Sequence, residues 1–195
     1  MYEAKKFDSI KALDGISEMT MIEHYKLYEG YVKKYNEINE KLTGVDLTSA
    51  NQTFSDFRSL KVDLTFAIGG IKNHEIYFDH LGGKGGEPSG KLLKKIIQDF
   101  GSFEKWQADL KATAMAARGW AWLAYDWKFH RFFNYIGDAQ NTFPVWNTTP
   151  LIALDVYEHA YYLDFQTKRA DYIEAFFKNL NWQVIEKDFA DHELD

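Results

Sequence analysis

The sequence predicts an α+β fold, with helices first and a small antiparallel sheet after them. Three observations carry this: apolar residues at helical spacing through the first half, one glycine-rich break, and an aromatic-rich run of strand formers beyond it. The first helix is expected from about Ser17 to Leu42, where Met21, His24, Leu27, Tyr28, Tyr31 and Tyr35 recur at steps of three and four. Ser17, ahead of Glu18 and Thr20, supplies the N-cap, and Thr43-Gly44 the stop. A second helix is expected from about Thr53 to Leu81, with Phe66, Gly70, His74 and Tyr77/Phe78 on one side. GGKGGEPSG (Gly82–Gly90) is the clearest break in the chain and reads as a linker.

Beyond the break, Lys91–Phe100 and Ser102–Ala117 read as two helices, with Gly101-Ser102 between them as stop and N-cap. In GWAWLAYDWKFHRFFNYIGD (Gly119–Asp138), Trp120, Trp122 and Tyr125 favour strands and Asp126–Lys128 reads as the turn of a hairpin. Leu151–Val156 reads as a short buried strand, and Tyr157–Tyr162 and Ala170–Leu180 as helices.

Composition narrows the function classes. A length of 195 residues suits one large domain or two small ones sharing an interface, and 46% hydrophobic residues exclude a disordered chain. The absence of cysteine excludes disulfide scaffolds, thiolate metal sites and cysteine nucleophiles. A net charge of −6 argues against a nucleic-acid binder, which carries a basic stripe. No apolar run approaches the roughly 18–20 residues of a membrane span, and the N-terminal stretch has no apolar core of a secretory signal, so a cytoplasmic location is the default expectation.

Six histidines are present: His24, His74, His80, His130, His159 and His192. Any one of them alone reads as a hydrogen-bonded core residue. Two contexts point further. In LDVYEHAYY (Leu154–Tyr162), Asp155 ends the apolar run LIAL, where a carboxylate is costly to bury without a cation or several donors. His159 follows four residues later, and carboxylate oxygen with imidazole nitrogen suits Mn, Fe or Zn. The alternative there is a strand-end cap beside a surface helix. In GGIKNHEIYFDHL, Gly70 stands one turn before His74 and leaves little bulk beside the imidazole, as a packed helix contact would also require. HExxH, ExxH, P-loop and GxSxG patterns are all missing.

The segments DVYEHAYYLDF…RADYIEAFFKNLNW, NHEIYF…LGGKGGEPSGKL…DFGSFEKW and GWAWLAYD together resemble the iron/manganese superoxide dismutase family, from about Phe7 to Trp182. The resemblance implies an N-terminal helical hairpin domain (residues 1–83), a linker (82–90) and an α/β C-terminal domain (91–195). It implies one Mn or Fe ion held by three histidines and an aspartate, with superoxide as substrate. His74, Asp155 and His159 carry over directly as ligands. The family's first-helix ligand stands eight residues before a tyrosine; eight before Tyr31 is Glu23, whereas alignment of ISEMTMIEHY puts the ligand on His24. Seven positions turn a helix by about 700°, nearly two full turns, so His24 and Tyr31 share a face and His24 is preferred.

The resemblance also assigns Tyr31 to the substrate gateway, Gln140 to the glutamine that meets the metal-bound solvent, and Trp120 with Trp122 to the aromatic wall. Gly70 together with Gln140 leans the metal towards manganese. Glu158, Tyr162 and Arg169 match a homodimer contact in which the glutamate meets the partner's ligand histidine, so a dimer through Glu158, His159 and Tyr162 is expected. Tyr157 and Phe78 stand where the family has tryptophan, and Leu27 or Tyr28 where it has a histidine near the gateway. Lys26, Lys33, Lys34 and Arg169 are candidates for steering the anionic substrate. The competing expectation is a catalytically silent structural protein of the same fold.

Overall fold

The computed structural model describes residues 1–142 and 145–192; the last three residues of the expected C-terminal domain lie outside them. The expected order of helices followed by a small antiparallel sheet is the observed one. α1 (Glu18–Leu42) begins where the Ser17 hydroxyl accepts from Thr20 N at 3.2 Å, and it buries Met21, His24, Tyr28 and Val32 along one stripe. α2 (Asp56–Asp79) packs against it to complete a helical hairpin. It starts three residues later than its periodicity suggests. The Asn51 side chain accepts from Thr53 N and Phe54 N, making a turn there, and Ser55 then caps the helix by accepting from Arg58 N.

Gly30 lies on the exposed side of α1, and a methyl group added there meets nothing within 4 Å among the described residues. Gly30→Ala therefore keeps every contact and removes the entropic cost of a helical glycine. The expected gain is about 0.5–1 kcal/mol, read as a rise in Tm of about 1–4 °C at matched metal content.

After α3 (Gly90–Phe100) and α4 (Phe103–Ala116) the chain forms a three-stranded antiparallel sheet of order β2-β1-β3. β1 (Trp120–Asp126) is central and buried throughout, flanked by β2 (Arg131–Gly137) and β3 (Thr148–Asp155). The hairpin turn spans 127–130, later than expected, because Asp126 stays paired with Arg131 while its carboxylate accepts from Lys128 N and Phe129 N. β3 begins three residues before the apolar run: Thr148 and Thr149 pair with Asp126 and Tyr125, and Pro150 is tolerated on this edge strand beside a register shift. Trp120, at the start of β1, faces Asp155 across the ladder.

The helix expected over Tyr157–Tyr162 is instead a 3-10 turn (Glu158–Ala160) followed by α5 (Tyr162–Phe165). Tyr161, at φ −145°, breaks the run. α6 (Arg169–Lys178) follows, then α7 (Trp182–Asp191), which the sequence reading did not anticipate. Trp182, Ile185 and Phe189 form the buried stripe of α7. Among the described residues no helix is long and apolar enough to cross a membrane.

Candidate metal centre

Four elements deliver one side chain each to a single point. α1 brings His24, α2 brings His74, the end of β3 brings Asp155 and the 3-10 turn brings His159. Their ligand-type atoms all lie within 4.8 Å of one another. Oδ2 of Asp155 is 3.1 Å from His24 Nε2, 3.2 Å from His159 Nε2 and 3.6 Å from His74 Nε2. Two ligands roughly 2.1 Å from one ion and about 90–120° apart stand roughly 3.0–3.6 Å from each other, which is this spacing. His24, His74 and Asp155 are fully buried, and the His159 side chain is 28% exposed.

The chemistry of His74 tests whether a cation fits. Its Nδ1 lies 2.6 Å from the Gly70 carbonyl, which can only accept, so Nδ1 carries the proton. Burial, and then the neighbouring His24, pull its pKa down to about 3, so the ring is neutral and Nε2 bears a lone pair. That lone pair is buried, has no hydrogen-bond partner among the described residues and faces a carboxylate oxygen. Two electron-rich atoms in that position repel unless a cation sits between them. Around them, burial lowers the His24 pKa against the pull of Asp155. Burial opposes charge on His159 too, but Asp155 wins and raises its pKa. Burial alone would raise the Asp155 carboxyl; His159 and His24 outweigh it and hold it well below the usual carboxylate range.

A polar relay stands beside these four. Trp120 Nε1 donates to Gln140 Oε1 at 3.1 Å, and Gln140 Nε2 donates to the Tyr31 hydroxyl at 3.2 Å. Trp120 meets the His74 ring edge-on at 5.2 Å between centroids, and Trp122 stacks behind Trp120. Tyr31 lies against Gly70 so closely that a Cβ there would stand 2.5 Å from its ring. Burial, then Asp155, raise the Tyr31 pKa, with Gln140 opposing. Tyr157 stacks on His159 at 5.2 Å, and its backbone N–H donates to Asp155 Oδ1 at 2.9 Å. Phe78 is buried against His24 and His74.

The sequence reading missed Tyr172, whose hydroxyl donates to the Asp155 carbonyl at 2.7 Å and meets Tyr77 at 3.1 Å. Its signal was a tyrosine among the apolar positions of α6. Other candidates are placed elsewhere. Glu23 points to the surface and pairs with Lys26 at 2.6 Å. Lys34 pairs with Glu37, and Arg169 donates to Tyr161 and the Ala117 carbonyl, so three of the four steering candidates have partners within the chain; Lys33 is exposed on α1. Leu27 is 43% exposed, whereas Tyr28 is buried with its hydroxyl on Glu75. His80, at the end of α2 beyond His74, pairs instead with Asp188 on α7. Glu158 and Tyr162 are exposed on either side of the partly open His159.

Residues 9–82 match the alpha-hairpin domain of the iron/manganese superoxide dismutases, and residues 88–188 match their C-terminal domain. A superoxide dismutase [Fe] of Aquifex pyrophilus is 48% identical over 91% of this chain and 85% of its own. A superoxide dismutase [Fe] of Methanothermobacter thermautotrophicus is 36% identical over 89% of this chain and 86% of its own. A superoxide dismutase [Mn] of Haloferax volcanii is 34% identical over 86% and 83%. The two matched domains account for the helical hairpin and for the sheet-bearing half, and the buried histidine–aspartate cluster lies where the two halves meet. The chain belongs to the iron/manganese superoxide dismutase family.

Proposed function

We propose that His24, His74 and His159 through Nε2, and Asp155 through Oδ2, hold one iron or manganese ion, and that superoxide is dismutated at this site. The carrying observation is the unprotonated Nε2 of His74, unpartnered among the described residues and facing Asp155. Two superoxide anions and two protons yield one dioxygen and one hydrogen peroxide; the bound ion supplies the one-electron sink and source. The chain's own residues manage protons and access. Because Gln140 Nε2 donates to the Tyr31 oxygen, the Tyr31 O–H is left to donate elsewhere. Its raised pKa keeps that proton in place at neutral pH until a more basic acceptor, the reduced dioxygen species, arrives. Trp120, Phe78 and Tyr157 surround the imidazoles with aromatic surface and limit water.

The donor set accepts both metals. Iron is put first, because relatives 48% and 47% identical carry iron in their names. Manganese, favoured by the pairing of Gly70 with Gln140, is the second reading, and relatives at 34% identity carry it in theirs. Superoxide consumption by protein stripped of metal and reloaded with each ion decides between them. Inactivity of both loaded forms would sink the enzymatic reading of the site. Assembly as a homodimer through Glu158, His159 and Tyr162 is part of the same proposal, supported by the exposure of Glu158 and Tyr162 around the partly open His159 and tested by sedimentation mass.

The ligand choice on α1 has its own test. His24→Ala is expected to retain less than about a tenth of the wild-type metal, while Glu23→Ala keeps full loading, since it removes only a surface pair worth at most about 1 kcal/mol. Metal analysis of the two purified variants reads the difference.

A further inference from the structure

We infer that Gly69 and Tyr157 are positioning residues for the Gln140 side chain, acting through the main chain of the loop that carries it. The inference rests on the proposed place of Gln140 beside the metal. The Gln140 amide spends both ends on fixed partners, Trp120 and Tyr31, so its reach into the site is set by where its own backbone stands.

That backbone is held from two elements. On α2, a Cβ at Gly69 would lie 2.0 Å from the Gln140 carbonyl oxygen and 2.7 Å from its carbonyl carbon. One turn further along, Asn73 Nδ2 donates to the same oxygen at 3.3 Å. The notch at Gly69 is therefore the seat of the loop, and only a residue without a side chain leaves it open. Beyond β3, the Tyr157 hydroxyl donates to the Asp138 carbonyl at 3.3 Å, two residues before Gln140, while its ring stays stacked on His159. A hydroxyl able to make this tether is a feature of this chain, since the family resemblance gives tryptophan here. Within the loop, Thr142 Oγ1 accepts from Asp138 N and Ala139 N, so the segment moves as a unit when either end is pushed. The atoms facing Gly69 are backbone and cannot rotate aside. A methyl group there drives the loop outward by about 1 Å, enough to misalign a group at a reacting centre.

The test uses full-length, metal-loaded enzyme carrying Gly69→Ala or Tyr157→Phe, each alone and combined with Gln140→Ala, and reads the midpoint potential of the bound metal with kcat and KM. Both single variants are expected to shift the potential in the direction of Gln140→Ala, Gly69→Ala further than Tyr157→Phe, with kcat about tenfold lower for Gly69→Ala. Neither is expected to shift it further once Gln140 is gone. An undiminished shift in the Gln140→Ala background overturns the inference, as does an unmoved potential in both single variants when Gln140→Ala moves it. If Gln140→Ala itself leaves the potential unchanged, the place of Gln140 at the metal fails instead. Positioning is then read from the Trp120 indole N–H resonance of the metal-free full chain, because that N–H donates to Gln140. A resonance moved in both variants as in Gln140→Ala supports the inference; one unmoved in both overturns it. Should Gly69→Ala fail to fold, Tyr157→Phe, which removes one hydroxyl, carries the test alone.

Discussion

Asp155→Asn is expected to abolish metal retention and superoxide consumption together while leaving the fold in place. The Asp155 side chain is the hub of the cluster, with three imidazole nitrogens 3.1, 3.2 and 3.6 Å from one of its oxygens. It also supplies the only negative charge among the four, in a site buried except at His159, where a cation has little water to neutralise it. Asparagine keeps the shape and the bond from Tyr157 N, so the change isolates the charge. Loss of a group that merely orients a ligand costs about 10- to 100-fold in metal affinity; loss of the ligand charge itself is expected to cost more, leaving under about a tenth of wild-type metal. Heat supplies a second readout. Ligand binding to the native state alone raises Tm, so chelation lowers the Tm of the wild type and leaves that of Asp155→Asn where it was. Full loading of Asp155→Asn would remove Asp155 from the donor set.

What the sequence made legible was local. The spacing of Met21, His24, Leu27, Tyr28, Tyr31 and Tyr35 is a periodicity rule, and the face that His24 shares with Tyr31 favours His24 over Glu23. Of that expected stripe Met21, His24 and Tyr28 are buried, whereas Leu27 is exposed and Val32 joins the buried side. Asp155 ending an apolar run was legible for the same reason, since a strand that enters the core cannot end on a free carboxylate. The resemblance carried the rest of the ligand set as an expectation, and the structure brings those four side chains together. What stayed hidden depends on docking. The Tyr172 hydroxyl reaches the Asp155 carbonyl only because α6 folds back beneath the strand end. The run after Asp155 had helical composition. Its turn is bent instead by the Asp155 side chain accepting from Tyr157 N, a competition between side chain and helix that propensity does not register. α7 was missed although Trp182, Ile185 and Phe189 display the period; no motif drew attention beyond Trp182.

The glycine-rich loop shows the same gap between composition and packing, and it sets up the second large effect. Expected as a linker between the two halves, it is also laced to the α6–α7 junction: Gly83 N–H donates to the Asn179 carbonyl at 3.0 Å, Gly85 N–H to that of Leu180 at 3.1 Å, and Asn181 N–H to that of His80 at 2.8 Å. A Cβ at Gly83 would stand 2.2 Å from the Leu180 carbonyl oxygen and 2.4 Å from the Asn181 Cα. Its backbone is not in the left-handed region, so the obstacle to alanine is contact alone, against main chain that cannot turn away. Gly83→Ala must therefore part the two strands of this seam, losing two or three hydrogen bonds worth about 1 kcal/mol each and disturbing the buried Leu180 and Trp182 beside it. The expected cost is about 3–4 kcal/mol, a fall in Tm of about 6–16 °C. Gly86 provides the contrast: φ is +78° and no described residue lies within 4 Å of an added Cβ, so alanine there meets only backbone strain of about 1–2 kcal/mol. Metal content links the seam to the site. His24 and His74 come from the hairpin and Asp155 and His159 from the sheet-bearing half, so a variant that loosens the junction at the end of α2 should also lose metal faster on dilution into chelator than Gly86→Ala does. A Gly83→Ala protein that melts within about 2 °C of the wild type would mean that the seam yields without cost, and that the two halves are held at the metal centre by the ligands themselves rather than by this loop.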